Sequence, residues 1–216
     1  MMDEECWKAY PEHHLFFNKL WVAQQLGYKC GPGGVSIPET GFYIVRPIYN
    51  LDGMSRGAQR KFLNVGDFST PPGYFWCEYF DGHHYSVDFK RISTTDWECD
   101  LVVKGIKVNE YKFVTWTKIK DYSKDQFTLP DFIKSTYINP AISYINVEYI
   151  DSKIIEIHLR RNPDFIGHDF DRLDVVWDSD KWNTTPERAG TFVHSPEEAE
   201  FDSRIGFYGR KLDGLF

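Results

Sequence analysis

Glu148, Glu156, His158 and Arg160 are the residues whose types and spacing most clearly suggest chemistry. They lie in residues 144–160, where two runs alternate in period two, the pattern of half-buried strands. In the first run Ile145, Val147 and Tyr149 share one face, and Asn146 and Glu148 the other. In the second, Ile155, Ile157 and Leu159 share one face, and Glu156, His158 and Arg160 the other. So short a connection cannot make a parallel crossover, so the runs form a hairpin. A two-residue turn at Asp151 and Ser152 would put Glu148 on the face of Ile155 and Ile157, because a one-residue slip exchanges the faces. A three-residue loop of Asp151, Ser152 and Lys153 restores agreement. It sets Val147 opposite Ile157, Glu148 opposite Glu156 and Asn146 opposite His158.

Directly opposed residues have Cβ atoms roughly 5 Å apart. Two carboxylates at that distance repel by about 3 kcal/mol at an effective dielectric near 20. A shared proton, a neighbouring arginine or a metal ion must offset this. One reading is a solvated strand face with Arg160 or Lys153 beside it. The sharper reading is a hard-cation site: Glu148, Glu156 and an imidazole (His158) or amide are ligands suited to Mg2+ when it also holds phosphates.

The elements that must position this pair are read from the rest of the chain. Its 216 residues are 42% hydrophobic and 17% aromatic, enough for one core in one domain or two closely packed lobes. A net charge of −7 argues against non-specific binding to nucleic acid or an anionic membrane, both of which need a basic face. No stretch is apolar enough to span a bilayer, and the acidic start lacks a signal peptide's apolar core. Cys6, Cys30, Cys77 and Cys99 are scattered and read as reduced thiols of a cytoplasmic protein, not as a zinc site.

Residues 12–26 carry a helical stripe ending at Gly27, a natural C-cap. Residues 42–47 read as a strand ending at its proline. The loop that follows carries Gly53, Ser55 and Gly57, and is either an ordinary turn or a mobile loop whose amides cradle phosphate. Asp81 and Gly82 between two aromatic-rich runs predict a type I′ hairpin. The histidine pairs at 13–14 and 83–84 diverge along a strand, which favours surface or hydrogen-bonded roles over metal binding. Further antiparallel strands are expected over residues 98–120 with a turn at Lys104 and Gly105, and a short helix near residues 130–137. Asn162 and Pro163 mark a turn. His168, Asp169, Asp171 and Asp174 read either as metal ligands or, in preference, as a solvated helix face; Ser195 opens a capping box, and residues 205–208 suit a last strand.

Taken in order, these pieces resemble the ATP-grasp superfamily of carboxylate–amine and carboxylate–thiol ligases. Asn18 and Lys19, opening a helix that ends at Gly27, are similar to the family's Asp-Lys helix. Arg46 and Pro47 end a strand as the family's Lys-Pro does. The loop with Gly53, Ser55 and Gly57 falls where the family's mobile loop covers phosphates. Glu78, Tyr79 and Phe80 resemble its adenine-side hinge, and Glu148 followed by Glu156-x-His158-x-Arg160 resembles its metal-binding Glu-x-Asn-x-Arg strand. The resemblance covers roughly residues 12–165. It implies an α+β fold, one ATP-grasp-like unit of two small lobes with antiparallel sheets. Residues 28–77 would form a nucleotide lid, and 12–27 with 78–216 a core lobe carrying the metal hairpin.

The resemblance further implies ATP and Mg2+ as cofactors. Lys19 and Arg46 would hold phosphates, Glu148, Glu156 and His158 the metal, and Arg160 a substrate carboxylate. The activity would be ATP-dependent ligation of a small-molecule or peptide carboxylate to an amine or thiol through an acyl phosphate. Three departures stand out: Arg46 replaces lysine, His158 replaces asparagine, and only about a dozen residues precede the first helix, where the family carries a separate substrate domain. Substrate recognition would then fall to the last 50 or so residues or to a partner protein. A degenerate protein that binds nucleotide or a partner without turnover, and a β-rich module that binds sugars or peptides, are the competing readings.

Overall fold

The computed structural model describes residues 2–51, 56–109, 112–123, 125–178, 190–194 and 204–212. The expectations for Gly53, Ser55 and the capping box at Ser195 lie outside the described residues. Two antiparallel sheets carry the fold. The smaller orders β1 (Cys30–Pro32), β4 (Tyr74–Glu78), β2 (Gly41–Pro47) and β3 (Gln59–Leu63). The larger uses β5 (His84–Arg91), β6 (Trp97–Lys107), β7 (Phe113–Lys118), β8 (Tyr144–Ile150), β9 (Lys153–His158), β10 (Arg172–Trp177), β11 (Thr191–His194) and β12 (Arg204–Arg210). Its order is β11-β12-β10-β7-β6-β5-β8-β9, so the hairpin of β8 and β9 forms one edge. With short helices packed against the sheets, the class is α+β.

The predicted long helix divides in two. Residues Pro11–Phe17 wind as a 3-10 helix, and α2 (Lys19–Gln25) starts afresh because the Asn18 side chain accepts from the Trp21 amide at 2.8 Å. Gly27 ends it at φ +71°, as a left-handed C-cap residue should. α2 joins the two halves: Ala23 packs with Phe75 and Cys77 of β4, while Val22 joins the core under Val147 and Ile157. A helix that the sequence reading missed, α1 (Asp3–Ala9), lies against the β9 end, where the Cys6 thiol donates to the Leu159 carbonyl at 3.4 Å. The four cysteines are all free.

Three local expectations are overturned. The Asp81-Gly82 segment makes no hairpin: β4 and β5 belong to different sheets, and residues 79–83 carry the chain between them. Gly82 is required there for a different reason. Its φ is +152°, and a Cβ would meet the Asp151 carboxylate at 2.2 Å. Lys104 and Gly105 make no turn either, since β6 runs through them; Gly105 leaves room for the Phe113 and Trp116 rings. The acidic run near residue 170 is not helical, for Asp174 lies within β10.

The β8–β9 register has the predicted pairs, Asn146 with His158, Val147 with Ile157 and Glu148 with Glu156. It reaches them differently. The turn has two residues, Asp151 (φ +47°) and Ser152, with Ile150 opposite Lys153, and a bulge at Ile155 supplies the extra residue. The bulge resolves the conflict between a tight turn and clean apolar burial. It also turns the Ile155 carbonyl toward the smaller sheet, where Arg46 Nη2 donates to it at 2.7 Å.

Candidate functional site

The polar face of the larger sheet forms the site. Strand pairing aligns Glu156 with Glu148 and Glu148 with Ser86, while the next row aligns His158 with Asn146 and Asn146 with Asp88. Glu148, Glu156 and His158 each offer a ligand atom, and these atoms lie within 4.8 Å of one another. Lys19, at the first turn of α2, places Nζ 2.5 Å from Glu156 Oε1, and both side chains are buried. His84 Nε2 donates to Glu148 Oε2 at 3.0 Å, as it must opposite an ionised carboxylate that only accepts. The repulsion between the two glutamates is thus offset within the protein by Lys19 and two imidazoles.

His158 is fixed from its other side. Nδ1 donates to Asp3 Oδ2 at 2.7 Å, and Asp3 also accepts from Arg160 Nε at 2.8 Å and Arg160 Nη2 at 2.9 Å. This buried trio draws on α1, on the end of β9 and on the bend just past it. His158 Nε2 consequently points between Glu148 Oε1 and Glu156 Oε1, 3.8 Å from each and short of a hydrogen bond to either. Burial alone would lower the His158 pKa, but the attraction of Asp3 dominates and raises it to about 9, against the repulsion of Arg160. Burial would raise the Asp3 pKa, yet the His158 and Arg160 charges hold its carboxyl far below the usual range. Glu148 is likewise held well below its ordinary value, the nearby His158 ring and the His84 hydrogen bond outweighing burial. Lys19 thus meets Glu156 and Arg160 meets Asp3, with the His158 ring between Asp3 and the two glutamates.

Behind this cluster lies a slot between the sheets, walled by Val22, Ile44, Tyr79, Phe80 and Ile154, with Arg46 and His84 on its lining. Arg46 Nε and His84 Nδ1 are buried without a hydrogen-bond partner, which is costly unless something else fills the slot. Asn146 Nδ2 donates to Ser86 Oγ and Asp88 Oδ1, both at 2.8 Å, and so stiffens the floor beside the glutamates. Asn162 caps the next turn and donates from its backbone to Asp88 at 2.8 Å.

Of the residues singled out from sequence, the structure brings Lys19, Glu148, Glu156 and His158 together and places Arg46, Tyr79 and Phe80 on the neighbouring slot. Glu78 stands apart from the slot lining, its Oε1 accepting from the Lys29 amide at 2.9 Å. Arg160 is committed at every nitrogen, with Nη1 donating to the Arg161 carbonyl at 3.0 Å. Gly57 adopts φ +76° and packs against Tyr74 and Pro47. Asp3 escaped the sequence reading, and His84, expected to be a surface or hydrogen-bonded histidine, is hydrogen-bonded but to Glu148 of the cluster. Asp3 had only its place in an acidic terminus to mark it. His84 had a signal in the alternation of β5, which puts it on the face of Ser86 and Asp88.

Two sheets with a carboxylate-bearing hairpin at the edge of the larger one define the class: this is an ATP-grasp fold. Solved structures bear this out. A protein from Archaeoglobus fulgidus assigned to the ATP-grasp superfamily superposes with a TM-score of 0.52 at 16% identity, over 93% of this chain and 65% of that one. N5-carboxyaminoimidazole synthetase from Staphylococcus aureus, complexed with ADP, gives a TM-score of 0.59 at 12% identity, over 93% of this chain and 68% of that one. A second structure of the same Staphylococcus aureus enzyme gives 0.56 at 12% identity, over 91% and 67%. The chain thus spans about two thirds of the length of these proteins. No protein-family model matches the sequence, and no curated protein does.

Proposed function

We propose that the chain binds ATP in the slot between the sheets and, with a divalent cation, uses it to activate a carboxylate for ligation to an amine or thiol. The observation that carries this reading is the juxtaposition of the Glu148–Glu156 pair and Lys19 with a slot whose Arg46 Nε lacks a partner. Tyr79 and Phe80 would flank the base, Arg46 and Lys19 would take phosphate oxygens, and the main chain near Gly57 would close over them. The donor set suits a cation: atoms that share one ion lie about 3–4 Å apart when each bond is about 2.1 Å, and here Nε2 is 3.8 Å from each carboxylate oxygen with all three ligand atoms within 4.8 Å of one another. Held by Glu148, Glu156 and His158, such an ion would neutralise charge on the β- and γ-phosphates.

In the reaction, a substrate carboxylate oxygen attacks the γ-phosphorus and ADP leaves. The amine or thiol then attacks the acyl carbon and phosphate leaves. Within this scheme the chain's own work is positioning and electrostatics. ADP is present in the Staphylococcus aureus structure named above, which supports nucleotide binding for the shared fold. The test of binding is a thermal shift with ATP and MgCl2, expected for the natural chain and lost in Glu156→Gln. The absence of a shift with any nucleotide and any divalent ion would end the proposal.

A second reading, nucleotide binding without turnover, is favoured by one observation: Arg160, the candidate carboxylate clamp, is fully engaged by Asp3 and the Arg161 carbonyl. ADP release that depends on an added carboxylate and amine decides for ligation. Nucleotide binding with no such release decides for the second reading.

A further inference from the structure

The His158 ring has one nitrogen bound and one aimed. Nδ1 is held by Asp3 at 2.7 Å, and Asp3 is itself pinned by two bonds from Arg160. Nε2, on a side chain 6% exposed, reaches between two carboxylate oxygens and stops 3.8 Å from each. A ring nitrogen presented to two carboxylates carries either a proton or a metal ion between them, and an ion bound there would displace the Nε2 proton. A ligating histidine typically donates its other N–H to a carboxylate, which fixes its tautomer and orientation. Asp3 does this here, across 155 residues of sequence.

We propose that α1 is a working part of the cation site, with Asp3 as the positioning residue that holds His158 Nε2 toward an ion shared with Glu148 and Glu156, so that the site takes a nitrogen-accepting first-row ion such as Zn2+ or Mn2+ in preference to Mg2+. Imidazole suits Zn2+ and its neighbours, whereas Mg2+ favours oxygen and dehydrates reluctantly. Lys19 does not block such an ion. Its Nζ occupies one side of Glu156 Oε1, and a carboxylate has about four acceptor positions over two oxygens. Asn146 lies in the next row of the sheet, where its amide nitrogen donates to Ser86 and Asp88. The inference rests on reading this cluster as the cation half of a nucleotide site, yet it concerns the ion alone.

The full chain is therefore tested with MnCl2, ZnCl2 and MgCl2 and no nucleotide. Bound Mn2+ should show nitrogen modulation in pulsed electron paramagnetic resonance that changes on 15N-histidine labelling and disappears in His158→Gln. Zn2+ should displace Mn2+ at a concentration at least about tenfold lower than Mg2+ does. Asp3→Asn should weaken Zn2+ binding about 10- to 100-fold. Arg160→Gln disturbs the same buried trio but spares the Asp3–His158 bond, and should retain nitrogen modulation. Because the spectrum of the natural chain needs no variant, a variant that fails to fold does not leave the matter open. Bound Mn2+ without histidine nitrogen, no ion bound at all, or Mg2+ displacing Mn2+ as readily as Zn2+ would each overturn the inference. ATP binding with Mg2+ but no nitrogen coupling would leave the proposed function standing and this inference refuted. Nitrogen-coupled Mn2+ without nucleotide binding would do the reverse.

Discussion

Replacing Asp3 by alanine should expose how much of the site depends on the first turn of the chain. Asp3 is 2% exposed and makes three short bonds, one to His158 and two to Arg160. Removing one partner of a buried ionic group leaves uncompensated charge and typically costs 3–5 kcal/mol, roughly the scale expected here. The His158 share can be bounded. Its pKa rises from 6.5 to about 9 on folding, which corresponds to about 3 kcal/mol at most. A raised pKa contributes stability that is fully present below about pH 6.5 and is lost as pH rises through about 9. The difference between the natural chain and Asp3→Ala should therefore be largest near pH 6 and shrink by pH 9, leaving the Arg160 part. Urea unfolding followed by tryptophan fluorescence at pH 6, 7.5 and 9 measures this. Glu4→Ala, which breaks the exposed Glu4–Lys8 pair on the same helix, serves as a control and should leave the midpoint unchanged. A loss below about 1 kcal/mol at pH 6, or one that does not shrink with pH, would refute the idea that this trio anchors α1.

Lys19→Met leaves the glutamates facing each other with one fewer cation, and should lower the melting temperature; a divalent ion should then raise it by more than in the natural chain, as differential scanning fluorimetry would show. Arg46→Ala removes the donor to the bulged Ile155 carbonyl and should cost about 1–3 kcal/mol in urea unfolding. The same variant should weaken ATP binding in a titration. Gly82→Ala forces a side chain into a positive-φ position against Asp151, and should cost about 1–3 kcal/mol by the same unfolding measurement.

The hairpin was the most legible part of this molecule. Alternation determined the faces of residues 145–149 and 156–159, and the need to bury Val147 and Ile157 together determined that Glu148 meets Glu156; the expectation that Ile155 joins that apolar face fails, since Ile154 takes the place opposite Tyr149 and Ile155 bulges. The turn that delivers this register was not legible, because a bulge and a longer loop satisfy the same burial pattern. Asp81 and Gly82 looked like a hairpin turn because local turn chemistry is shared by any sharp change of direction. Which sheet the next strand joins is decided by what it pairs with, and β5 pairs with β6 and β8. The lysine–glycine pair in β6 misled for a similar reason: Gly105 answers to the rings of Phe113 and Trp116, which lie on another strand.

By itself, then, the sequence determined the short-range pattern: period-two strands, the end of α2 at Gly27, and a face bearing two glutamates, an asparagine and a histidine. Tertiary structure alone decided what surrounds that face. Asp3 arrives from the far end of the chain, Lys19 from a helix, His84 from the neighbouring strand, and Arg46 from the other sheet. Periodicity fixes the direction of a side chain relative to its own strand, but the energy of a buried charge depends on partners brought close by the packing of distant segments.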